Sequence, residues 1–209
     1  MGNASLSRLN IKFQFLNHGF EVHEQACPAA ILTHLQNEFP LDAPIDRELL
    51  DHSPTVRVLA TNGIFHELAK SILGEGCFPT HAILYNKSDT PTPWQRDTTI
   101  TVQGQRVIEA PDKAIYNRIL TVRLSLDDCT FVDGALKLCP SSHKHGVLTP
   151  QEIRGHSIRP FSSPEMKAGD ILIMHPLTIH ASSASTTGKP SRVIHIVYAA
   201  AEYLSLIHP

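Results

Sequence analysis

From Thr80 to Ala200 the apolar residues fall into short runs: "HAILYN", "TTITVQ", "ILTVRLSL", "GALKLCP", "DILIMH" and "RVIHIVYAA". Clusters of Pro, Gly, Asp and Ser separate them. Runs of that length and spacing predict an antiparallel sandwich or barrel. Upstream the period is helical. "PAAILTHLQNEF" puts Ile31, Leu32, Leu35 and Phe39 on one face, and "IFHELAKSIL" does so with Ile64, Leu68, Ile72 and Leu73 before "GEGCF" ends the helix. The strand "ILTVRLSLDD" alternates: Val122, Leu124 and Leu126 share one face, and Thr121, Arg123, Ser125 and Asp127 the other. With the apolar face against the helices, the polar face either meets water or lines a barrel interior. In the second case it furnishes a pocket for an acidic small molecule.

Composition narrows the class. A chain of 209 residues can bury one sizeable core, so a single domain over residues 1–209 is expected. Eighteen Lys+Arg against 20 Asp+Glu, with no basic block, argues against nucleic acid as a partner. No apolar run approaches membrane-spanning length, and "MGNASLSRLN" lacks a signal-peptide core, which predicts a cytoplasmic protein without a membrane partner. "MGNASLS" fits the loose myristoylation pattern at Gly2, without a second basic signal. Cys27, Cys77, Cys129 and Cys139 form no CxxC pair and are expected as reduced thiols. Thirteen histidines raise the prospect of metal or acid-base chemistry. The oligomeric state leaves no mark on the sequence.

Three segments carry the candidate chemistry: "PWQRD", "HPLTIHASSAS" and "KPSRVIHIVYA". A carboxylate at the start of one strand and a histidine on another can hold a divalent metal with positions left open, and an arginine can fork onto a dicarboxylate. His175, five residues before His180, falls on the opposite face by strand parity and is not expected as a ligand. His143 and His195 are expected in structural roles, His143 fixing the turn after "LCPSS". The excursion Thr149 to Lys167 is expected to act as a lid or binding loop, and with Gln103 to Asn117 to choose the substrate.

The chain resembles the phytanoyl-CoA dioxygenase family of Fe(II)/2-oxoglutarate oxygenases from about Val56 to Glu202. "VRLSLDDCTFVDGALKLCPSSHKHG" is similar to its strand-turn-strand segment with Gly-Ser-His. "AGDILIMHPLTIHASSASTTGKPSRVIHIVYAA" is similar to its distal-histidine strand and following arginine, and "ILYNKSDTPTPWQRDTTITV" to its Trp-His-x-Asp metal corner. The resemblance implies a mainly β double-stranded β-helix, or jelly roll, with N-terminal helices packed on the larger sheet. It implies Fe(II) held by Asp97 and His180, with Gln95 at the third ligand position. It also implies 2-oxoglutarate held by Arg192 and Ser182, with Lys87 and Arg123 near the co-substrate. The implied activity is oxidation, such as hydroxylation, of a small organic substrate with molecular oxygen. The departure is Gln95, where the family has histidine: a neutral amide oxygen is a weaker metal donor than imidazole. The alternative is therefore a catalytically impaired jelly roll that binds 2-oxoglutarate or another small carboxylate.

Overall fold

A computed structural model describes residues 14–87, 91–102, 105–107, 113–156 and 160–202. The sequence reading of Gly2, part of the 103–117 stretch and the Lys87 side chain lie outside the described residues.

Strands β1 (Phe20–His23), β8 (Ile171–Met174), β6 (Ile119–Ser125), β10 (Ser191–Ala199) and β2 (Phe78–Lys87) form a five-stranded antiparallel sheet in that spatial order. Opposite it, β9 (His180–Ser182) lies between β3 (Thr92–Gln95) and β7 (Leu136–Leu138), and β4 (Ile100–Val102) pairs with β5 (Gln105–Val107). Strands distant in sequence thus become neighbours, as a jelly roll requires.

A short helix, α1 (residues 14–18), precedes β1, and four more stand on the outer face of the large sheet: α2 (Ala29–Glu38), α3 (Leu49–His52), α4 (Pro54–Asn62) and α5 (Ile64–Leu73). Leu35, Leu49, Val56 and Phe65 from these helices are buried with Leu84, Leu120, Val122, Leu124, Ile194, Ile196 and Tyr198 from the strands. Local chemistry fixes the ends of these helices. Ser53 Oγ accepts from Val56 N at 3.0 Å and Pro54 supplies a preset φ, which together start α4. Gly74, at φ 92°, ends α5.

The alternation of β6 is settled in favour of the interior: its apolar residues join the helical core, and Arg123 and Ser125 line a cavity between the two sheets. The 149–167 excursion is more firmly tied than a free lid. Thr149 and Glu152 form reciprocal caps that open α6 (Pro150–His156), and the return leg is stitched to the barrel through Ser162 with Leu138 and Met166 with Cys129. Arg96, buried, donates to the carbonyls of Gly146 and Leu148 and so pins the loop before that excursion.

Candidate functional site

The cavity encloses about 450 Å³ and takes its walls from both sheets. Gln95, Asp97, His180 and Ser182 enter from the small sheet and its margins, and Tyr85, Arg123, Ser125, Leu172, Val193 and His195 from the large one.

His180 is held on both sides of the chain. Ile179 N donates to Ser142 Oγ at 2.8 Å, that hydroxyl donates to Cys139 O at 2.7 Å, and Gln95 is the register partner of His180 across β3 and β9. The ring is oriented by its own backbone. His180 Nδ1 lies 2.9 Å from Thr178 O, and because a carbonyl only accepts, the proton sits on Nδ1 and the lone pair on Nε2. That Nε2 is 3.6 Å from Asp97 Oδ1. Asp97 is placed by its N–H to Pro176 O at 2.9 Å, and Tyr116 Oη donates to the neighbouring Thr98 O at 3.1 Å.

Asp97 Oδ2 is buried and, among the described residues, has no hydrogen-bond partner. An unsatisfied carboxylate oxygen beside an imidazole lone pair is an electron-rich pair that fits a divalent metal. Among the described residues no third His, Cys, Asp or Glu joins the pair, so the remaining protein donor at hand is the Gln95 amide, at the exposed rim of the cavity.

Arg192 requires a correction. On β10 the odd positions Ser191, Val193 and His195 face the cavity, while Arg192 shares the parity of Ile194 and Ile196 and faces the helices. Its Nε donates to Asp127 Oδ2 at 2.9 Å and Nη2 to Asp127 Oδ1 at 2.5 Å, and Nη1 donates to the carbonyls of Gln36 and Phe39 at the end of α2. This guanidinium is a structural clasp, and Ser191 takes the cavity-facing place beside it. Ser182 does line the cavity, with its Oγ accepting from Thr92 N at 3.2 Å. Lys87 pairs through its backbone with Ser191.

Arg123 lines the cavity half-buried. Its Nη1 is 3.0 Å from His195 Nδ1, and since arginine only donates, Nδ1 accepts and His195 carries its proton on Nε2. Burial, reinforced by positive Arg123, holds His195 well below the ordinary histidine value, so the ring is neutral. His195 therefore has a part in the cavity beyond the purely structural one expected. The alternation Ser191, Val193, His195 against Arg192, Ile194, Ile196 was the signal that could have revealed it. His175 stays off the site: its Nδ1 accepts from Leu177 N at 3.0 Å and its Nε2 meets Asn117 Oδ1 at 3.2 Å. His143 is spent on the Leu16 carbonyl, which ties its turn to α1.

Residues 21–194 match the phytanoyl-CoA dioxygenase (PhyH) family. The chain belongs to that family. Membership makes it a relative of Fe/2-oxoglutarate-dependent oxygenases. A curated relative, the iron/alpha-ketoglutarate-dependent dioxygenase ausO of Aspergillus calidoustus, is 42% identical over 64 residues, which are 30% of this PhyH chain and 22% of the relative. Among solved structures, the alpha-ketoglutarate-dependent epimerase SnoN from nogalamycin biosynthesis is similar at TM-score 0.75 and 18% identity, over 94% of this chain and 84% of that one. HygX from Streptomyces hygroscopicus, solved with nickel and 2-oxoglutarate, gives TM-score 0.73 and 16% identity over 93% and 86%. At these identities the structural likeness speaks for the jelly-roll fold. Among the described residues no helix is long and apolar enough to cross a membrane.

Proposed function

We propose that the cavity is an Fe(II)/2-oxoglutarate oxygenase centre acting on a small organic substrate, with Asp97 and His180 as its principal metal ligands and Gln95 as a weak third. The observation that carries the reading is the orphaned Asp97 Oδ2 beside the correctly tautomerised His180. Iron bound there would supply oxygen activation coupled to 2-oxoglutarate decarboxylation. The chain's own share is to bind and orient. Thr178 keeps the His180 lone pair aimed at the metal position, Ser182 and Arg123 offer hydrogen-bond donors to acids, and Leu172, Met166 and Val193 exclude water. Hydroxylation is one outcome; the epimerase among the similar structures makes stereochemical inversion another.

A second reading, a carboxylate-binding protein without turnover, is favoured by Gln95 and by the engagement of Arg192 with Asp127. One experiment separates the two. Fe(II) and 2-oxoglutarate are titrated anaerobically while the weak visible band of the chelate is followed, and succinate is assayed after oxygen is admitted. The oxygenase reading expects both signals from the parent protein. It expects Gln95→His to bind Fe(II) roughly tenfold to a hundredfold tighter, about the gain of one strong charge-assisted contact. A band or succinate from the variant alone leaves the parent as a binding protein.

A further inference from the structure

With Arg192 turned to the helical face, the cavity must recognise an acidic co-substrate by another cation. Among the described residues that line it, Arg47 lies exposed at the rim, and Arg123 is the half-buried one on the cavity wall. Arg123 sits on the central part of β6, directly across from His195 on β10. Three contacts fix its position. His195 Nδ1 accepts from Nη1, the guanidinium carbon lies 5.9 Å from the centre of the Tyr85 ring, and Tyr85 in turn meets His195 edge-on at 5.7 Å between centroids. These contacts immobilise the guanidinium and leave most of its five N–H donors unspent.

None of the three contacts supplies a negative charge. Among the described residues no carboxylate forms an ion pair with Arg123; Asp97 acts on it only at a distance. A half-buried cation in a cavity wall, without a paired carboxylate, is better balanced when an anionic ligand arrives beside it. Ser125, two residues along the same face of β6, and Ser191 on β10 add hydroxyls on the same wall.

We propose that Arg123, positioned by His195 and Tyr85, is the anchor for the distal carboxylate of 2-oxoglutarate in this protein, in place of the arginine on β10. The inference rests on reading the cavity as a 2-oxoglutarate site. Arg123 and His195 belong to the large sheet, whereas Asp97 and His180 belong to the opposite wall, so a dicarboxylate bound between them spans the cavity with one acid at each end. Arg123 thereby selects a second carboxylate over a plain 2-oxoacid, and its fork geometry sets the orientation.

The test compares two acids in calorimetric titrations of Mn(II)-loaded protein: 2-oxoglutarate, and 2-oxobutyrate, which keeps the keto acid end but lacks the distal carboxylate. The parent is expected to prefer 2-oxoglutarate. Arg123→Gln is expected to lose that preference by weakening 2-oxoglutarate roughly tenfold to a hundredfold, with 2-oxobutyrate little changed. Arg123→Lys, which keeps the charge but loses the fork, should fall between. Thermal melting of the ligand-free proteins supplies a separate readout, since removing a half-buried charge that has no paired carboxylate should leave the melting temperature of Arg123→Gln equal to or above the parent's. If Arg123→Gln keeps the parent's preference, or weakens both acids equally, the anchor role is overturned while the cavity remains a 2-oxoacid site. If the parent binds neither acid, the broader reading of the cavity falls and this one falls with it.

Discussion

At the scale of single residues, the site depends on atoms whose options have been removed. His180 has one usable lone pair, on Nε2, because Nδ1 keeps its proton to donate to Thr178 O. Gly19 shows the same economy in the backbone. At φ 85° its carbonyl accepts from His175 N at 2.8 Å and Thr178 Oγ1 at 2.9 Å, and an added Cβ would lie 2.4 Å from His143 Nδ1 and 2.6 Å from Thr178 Oγ1. A side chain there meets both a strained conformation and rigid neighbours. Gly19→Ala is expected to destabilise the protein by about 2–4 kcal/mol, more than a left-handed alanine alone would cost. Denaturant unfolding checks it, and a loss below about 1 kcal/mol would mean that the His143 and Thr178 side chains yield easily.

At the scale of elements, β10 divides two jobs by parity. Its odd residues furnish the cavity, and Arg192 clasps Asp127 and the last carbonyls of α2, joining helix, β6 and β10 at one corner. A basic group at a helix C-terminus also satisfies carbonyls that the helix leaves open. The Arg192 side chain is 5% exposed and Asp127 is 17%, so removal of one partner strands the other in a dry place. Arg192→Met is expected to cost about 3–5 kcal/mol, the range for breaking a buried pair from one side. Urea unfolding at neutral pH measures it. A cost near zero would mean that Arg192 leaves the clasp, and would return it as a candidate for the cavity.

At the scale of the molecule, the two faces of the large sheet have opposite chemistry, and β1 at its edge carries a titratable pair on the helical side. Glu21 and His23 pair in register with Ile173 and Ile171, and their side chains approach to 3.9 Å. Burial pushes the Glu21 carboxyl up to about 7 and lowers His23 below its ordinary value. Because native Glu21 holds a proton that the unfolded chain has lost, it makes stability fall as pH rises from 4.5 to about 7. His23, neutral in the native state, makes stability rise with pH up to 6.5, where the unfolded histidine also loses its proton. The slopes oppose each other, so the parent is expected to be flatter than either single variant. In urea midpoints from pH 5 to 8, Glu21→Gln should show a net rise toward pH 6.5 and His23→Gln a net fall toward pH 7. Parallel profiles for all three proteins would dismiss the pair as a determinant.

The helical period of "PAAILTHLQNEF" and "IFHELAKSIL" and the alternation of "ILTVRLSL" already determined α2, α5 and β6, because amphipathic periodicity is a local property that burial then rewards. The segments of the family resemblance likewise carried Gln95, Asp97, His180 and Ser182 to one cavity. The short strands β1 and β9 left no comparable period, since three or four residues cannot display one. The resemblance puts Arg192 on the co-substrate, whereas its parity, shared with Ile194 and Ile196, already points it to the helical face. Only the tertiary structure decided that Asp127, lying just past the end of β6 where alternation no longer governs direction, would turn to meet Arg192. It alone brought Arg123 and His195 together from positions 72 residues apart, because the pairing of β6 with β10 is a non-local choice made by the packing of the whole sheet.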